Sequence, residues 1–128
     1  MEYANVSAVL ARVQHVVQFG HATLTSIDQK GFFGDTPLIV VASWKDLAAA
    51  RLLLDAGANV NAKGEDGDTA LHRAAAYDDV ELANLLVERG AAVAEQNDCG
   101  DTALDVAVRV GSDGIVELLK ETCPPFDR

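Results

Sequence analysis

The 128-residue sequence predicts an all-α solenoid of stacked helical repeat units. Three observations carry that prediction. Gly34, Gly67 and Gly100 stand 33 residues apart, and the same offset links Thr36, Thr69 and Thr102, then Leu38, Leu71 and Leu104. Repetition at such a period marks stacked units that bury their apolar faces against one another. Apolar residues also recur at helical spacing: Leu82, Leu85 and Leu86 in one unit, Leu47, Leu53 and Leu54 in the unit before it. Finally, Thr and Gly fall where helices need a start and a stop.

The elements follow in chain order. Val6, Val9, Leu10, Val13, Val16 and Val17 form an apolar stripe, so a helix is expected to about Phe19. Ile27-Asp28-Gln29-Lys30 aligns with Val60-Asn61-Ala62-Lys63 one period later, which makes residues 1–30 a degenerate first unit that caps the stack. Full units are expected over 31–63 and 64–96. Thr36, Thr69 and Thr102 can each cap a helix through the hydroxyl, and Pro37 suits a first helical position. Helices are therefore expected over 36–43, 69–76 and 102–109. Ile39-Val40-Val41 would read as a strand in isolation. Its counterpart, His72-Arg73-Ala74, is plainly helical, so the repeat predicts a helix here too. Gly57 and Gly90 stop the second helices, where a left-handed residue is needed. In residues 97–123 the position of Val87 becomes Lys120 and that of Gly90 becomes Cys123, followed by Pro124-Pro125. A polar outer helix that stops early is expected of a C-terminal cap. The whole is read as one domain spanning 1–128, monomeric when isolated.

The units GDTPLIVVASWKDLAAARLLLDAGANVNAK, GDTALHRAAAYDDVELANLLVERGAAVAEQ and GDTALDVAVRVGSDGIVELLKETC resemble ankyrin repeats. The match is tightest in TALHRAA at 69–75 and GANVNAKGEDG at 57–67, and it covers about residues 31–121. The resemblance implies an ankyrin-repeat solenoid, with two antiparallel helices per unit and then a hairpin-like finger. It also implies protein binding by a concave face made of the finger tips and the ends of the first helices. On this sequence that face would hold Lys30, Phe32, Phe33, Asp35, Ser43, Trp44, Lys63, Glu65, Asp66, Asp68, Ala76, Tyr77, Gln96, Asp98, Cys99, Asp101, Arg109 and Val110. Four of the seven aromatic residues fall there, beside six carboxylates. The candidate partner contacts are therefore Phe32, Phe33, Asp35, Trp44, Glu65, Asp66, Asp68, Tyr77, Asp98, Asp101 and Arg109. Trp44 and Tyr77 occupy one repeat position, and Trp44 is expected to be a surface anchor whose loss weakens binding more than stability. Phe32 and Phe33 can either face a partner or pack under the loop formed by residues 20–30.

Charge narrows the partner. Ten basic and twenty acidic residues give a net charge of −10. Nucleic acid and anionic membranes would be repelled, whereas a basic protein would be attracted. No run approaches a membrane span, and Met1-Glu2-Tyr3 lacks a basic stretch followed by an apolar one, so no secretory signal is expected. Cys99 and Cys123 read as free thiols in a reducing compartment, so a cytoplasmic location is expected.

Catalytic signals are weak. The sequence has no phosphate-cradling loop, no HExxH and no GxSxG. His72 lies in the T-x-L-H turn, where the resemblance implies a local bond that supports the helix start; His15 and His21 have no evident partners. Glu65-Asp66-Gly67-Asp68 and Asp98-Cys99-Gly100-Asp101 lack the alternating ligands and distant glutamate of a calcium loop. The expectation is a non-enzymatic binding module without metal or cofactor. The chain also resembles small bacterial ankyrin proteins, some of them toxin-neutralising immunity proteins, which would imply such a role. A scaffold or regulatory subunit is the alternative, and an enzyme with an unrecognised pocket the third.

Overall fold

A computed structural model describes residues 6–14 and 35–122. Among these residues there are seven α-helices and no strand. They are α1 (Val6–Gln14), α2 (Pro37–Ser43), α3 (Leu47–Asp55), α4 (Ala70–Ala76), α5 (Val80–Glu88), α6 (Ala103–Val110) and α7 (Asp113–Thr122). None is long and apolar enough to cross a membrane. The expected helix beyond Gln14, the turn carrying Phe32 and Phe33, and the Cys123-Pro124-Pro125 ending lie outside the described residues.

Two layers result. Helices α2, α4 and α6 pack side by side, and α3, α5 and α7 back them; α1 packs on α3 and α2. The core runs between the layers through Leu38, Ile39, Leu53, Leu71, Leu82, Leu86, Ile115 and Leu119, all fully buried. Ala49, Ala50, Ala70, Ala74, Ala75 and Ala83 have no exposed surface, and their small size lets neighbouring helices approach closely. Ile39, Val40 and Val41 are buried within α2, between α1 and α4. Packing therefore decides their conformation over β propensity. The positions of Ala42 and Ala75 are buried, yet their counterpart Val108 is 61% exposed, because no described helix stacks beyond α6.

Each helix start and stop has a local cause. Thr36, Thr69 and Thr102 cap α2, α4 and α6, accepting from the N–H groups of Ile39, His72 and Asp105. Asp46 and Asp79 cap α3 and α5, each 3.2 Å from its donor N–H. Between the helices of each pair the chain passes through a left-handed residue: Lys45 (φ 59°), Asp78 (φ 56°) and Gly111 (φ 79°). The next N–H then reaches back five residues, from Asp46 to Val41, Asp79 to Ala74 and Ser112 to Ala107, satisfying a carbonyl at the helix end. Gly57 and Gly90 take the same left-handed conformation after α3 and α5, as expected from the sequence.

A side chain at φ near 60° is strained. Lys45→Gly should therefore stabilise the protein by roughly 0.5–1 kcal/mol in urea unfolding. Asp78→Gly should not, because the Asp78 carboxylate accepts a hydrogen bond from Ser112 of the next pair. Equal gains at both positions would show that strain alone governs the turn.

Candidate functional site

The loops between helix pairs form two fingers that brace each other. In the first, Gly64 N–H donates to the Asp68 carbonyl (2.8 Å) and Gly67 N–H to that of Gly64 (3.0 Å). In the second, Asn97 N–H donates to the Asp101 carbonyl (2.9 Å), while the Asn97 amide oxygen accepts from the N–H groups of Cys99 and Asp101. Between the fingers, Asp98 N–H donates to the Asp66 carbonyl (2.9 Å) and Asn97 Nδ2 to Asp68 Oδ1 (2.9 Å). Lys63 spans them as well, 2.8 Å from Glu95 and 3.1 Å from the Gln96 carbonyl. Its ammonium holds the Glu95 carboxyl below the usual range. Gly67 is buried at φ 74°, and a Cβ there would run into Asp98, so only glycine fits this crossing.

The six carboxylates expected on the binding face divide into two groups. Asp35 is only 5% exposed. Its Oδ1 accepts from Glu65 N–H (2.8 Å) and lies 3.2 Å from Arg73 Nη2. Asp68 takes Arg73 Nε (3.4 Å) on one oxygen and Asn97 on the other. Asp101 takes Arg109 Nη2 at 2.8 Å. Asp35 is thus withdrawn from any contact surface, a correction to its place in the candidate set: its charge is spent inside the fold. Asp68 and Asp101 are held in internal pairs. Glu65, Asp66 and Asp98 are exposed at the finger tips, with no ion pair among the described residues. Arg109 stays on the surface, and the Asp101 carboxylate beside it raises its pKa.

His72 joins the fingers to the helices. It is 2% exposed. Nδ1 accepts from Thr69 N–H (3.1 Å), which leaves Nε2 to carry the proton and donate to the Asp101 carbonyl (2.8 Å). Every polar atom of the ring is thereby used in holding α4 and the second finger. Among the described residues no group of three His, Cys, Asp or Glu side chains could hold a metal ion.

The two described aromatics differ. Tyr77, at the end of α4, is 46% exposed. Trp44 is half-buried against the core, and the Arg12 guanidinium lies 4.7 Å from its ring centroid. Arg12 also pairs with Asp46 at 3.7 Å, and an open cleft of about 430 Å³ runs from Arg12 past Trp44 to Ala48. Trp44 is thus partly buried, and besides the partner contact expected of it, it pins α1 to the turn before α3. Trp44→Ala should cost about 1–2 kcal/mol in urea unfolding, with Tyr77→Ala below about 0.5 kcal/mol. Equal effects would remove the distinction. Phe32 and Phe33 lie outside the described residues.

Arg73 was not singled out by the sequence. Its three polar partners, Ser43, Asp35 and Asp68, are up to 38 residues away, and no local spacing announces them. The available signal was a lone cation in an alanine-rich helix. The left-handed positions 45 and 78 were also missed, although Gly111 marks their place one period on.

The model of the family described as ankyrin repeats matches residues 7–97 and 64–125, in three copies. No curated protein matches the chain.

Proposed function

Because the chain belongs to the ankyrin-repeat family, we propose that it is a protein-interaction module that holds a basic partner against its fingers. The family match supports the interaction role, and members of this family generally act by binding. The observation that carries the choice of partner is the trio Glu65, Asp66 and Asp98, exposed on two fingers that are bonded together. Three carboxylates held on a braced scaffold, in a chain of net charge −10, favour cationic side chains and speed their approach. Tyr77 and Val110, 46% and 50% exposed and one repeat apart, add apolar contact area at the ends of α4 and α6.

We extend the proposal to occlusion of the partner, with neutralisation of a basic toxin in the cytoplasm as its specific form. Genetics tests that form: loss of the gene should be lethal only while a toxin encoded beside it is present. The binding reading is tested by affinity capture on the natural chain and on the triple variant Glu65→Gln, Asp66→Asn, Asp98→Asn. The natural chain should retain a basic protein that the variant loses, while the melting temperatures stay within about 2 °C, as expected for surface changes. Equal retention by both chains would remove the finger tips from the site.

A further inference from the structure

Arg73 of α4 bonds to three side chains, in α2, before α2 and at the end of the first finger. Nη1 donates to Ser43 Oγ (2.9 Å), Nη2 to Asp35 Oδ1 (3.2 Å) and Nε approaches Asp68 Oδ2 (3.4 Å). The two carboxylates are themselves fixed from outside: Asp35 by Glu65 N–H, Asp68 by Asn97 Nδ2. Asp35 is almost fully buried, and the Arg73 side chain is 15% exposed.

We infer that Asp35, Asp68 and Ser43 form a guanidinium-binding cradle, filled in the natural protein by Arg73 of the same chain. The donor pattern suits guanidinium more than ammonium. Three N–H groups leaving a planar head in fixed directions meet three separate oxygens, whereas a lysine ammonium is a compact point charge on a flexible stem. The cradle is also assembled from separate elements: Asp35 precedes α2, Ser43 is its last residue, and Asp68 ends the first finger. Filling it ties that finger to α2 and α4. Arg73 is thus a positioning residue, which sets where Glu65 and Asp66 stand. For a partner this means that its cations meet the tips, because the inner carboxylates are already taken. That consequence rests on the binding role proposed above; the cradle itself does not.

Chemical rescue tests the cradle without any partner. Arg73→Ala should melt below the natural protein and regain stability from guanidinium chloride at tens of millimolar, where denaturation is slight. At about five times its dissociation constant the ion should raise the variant's melting temperature by about 4 °C over a sodium chloride control. The natural protein should show no such rise, and neither should Arg73→Ala combined with Asp68→Ala. Rescue absent from Arg73→Ala, or equal in the natural protein, would overturn the inference. Should Arg73→Ala not fold, the natural protein still decides the matter by NMR. The Arg73 Nε–H proton should then exchange at least tenfold more slowly than that of exposed Arg51, and equal exchange would overturn the cradle.

Discussion

Arg73→Met should destabilise the protein by about 3 kcal/mol, lowering the melting temperature by roughly 10 °C. Methionine keeps much of the volume and removes the charge, so the loss reports on the ion pairs more than on packing. Asp35 decides the size of the effect. At 5% exposure its carboxylate cannot regain full hydration when its cation is removed. Breaking one partner of a buried pair typically costs about 3–5 kcal/mol. The lower end applies because Arg73 and Asp68 side chains are 15% and 23% exposed, and water screens part of the interaction. Urea unfolding would check this. A loss below about 1 kcal/mol would mean that the fingers hold their place without Arg73.

His72→Ala should cost a similar amount, about 3 kcal/mol, for a different reason. The substitution leaves a small cavity, strips the acceptor from Thr69 N–H and removes one of the two donors to the Asp101 carbonyl, which keeps Asn97 N–H. One period later Asp105 forms the same capping box, with Thr102 N–H donating to its carboxylate at 2.9 Å. Asp105 is exposed, however, and water replaces what its removal takes away. Asp105→Ala should therefore cost about 1 kcal/mol or less. The same motif is worth more when buried. Equal losses at both positions would show that His72 acts only as a helix cap.

The contrast between these two residues also explains which features were legible in the sequence. Periodicity alone places six helices, and it turns Ile39-Val40-Val41 into a helix against its local preference. The capping threonines and the glycines after α3 and α5 were equally readable, because their effect is set within a few residues. Exposure was less readable. Asp35 and Asp66 look alike in the sequence, each beside a finger glycine, yet one is buried under the first finger and the other forms its tip. The difference depends on Arg73, 38 residues after Asp35, and no local rule connects them. Trp44 shows the same limit. Its repeat position matches that of Tyr77, but α1 stands beside Trp44 and supplies Arg12, whereas the described residues give Tyr77 no such ring contact.

With the inner carboxylates paired, the outer three remain to account for binding. Replacing Asp68 or Asp101, held in internal pairs, would lower stability and binding together and leave the cause ambiguous. Glu65, Asp66 and Asp98 allow a cleaner test. The most direct measurement is the association rate with the captured partner as a function of salt, for the natural chain and for the triple finger-tip variant. The natural chain should associate about tenfold faster at low salt than the variant, and the two rates should converge as salt screens the charges, while dissociation changes much less. Salt-independent association of the natural chain, at a rate equal to that of the variant, would contradict the account.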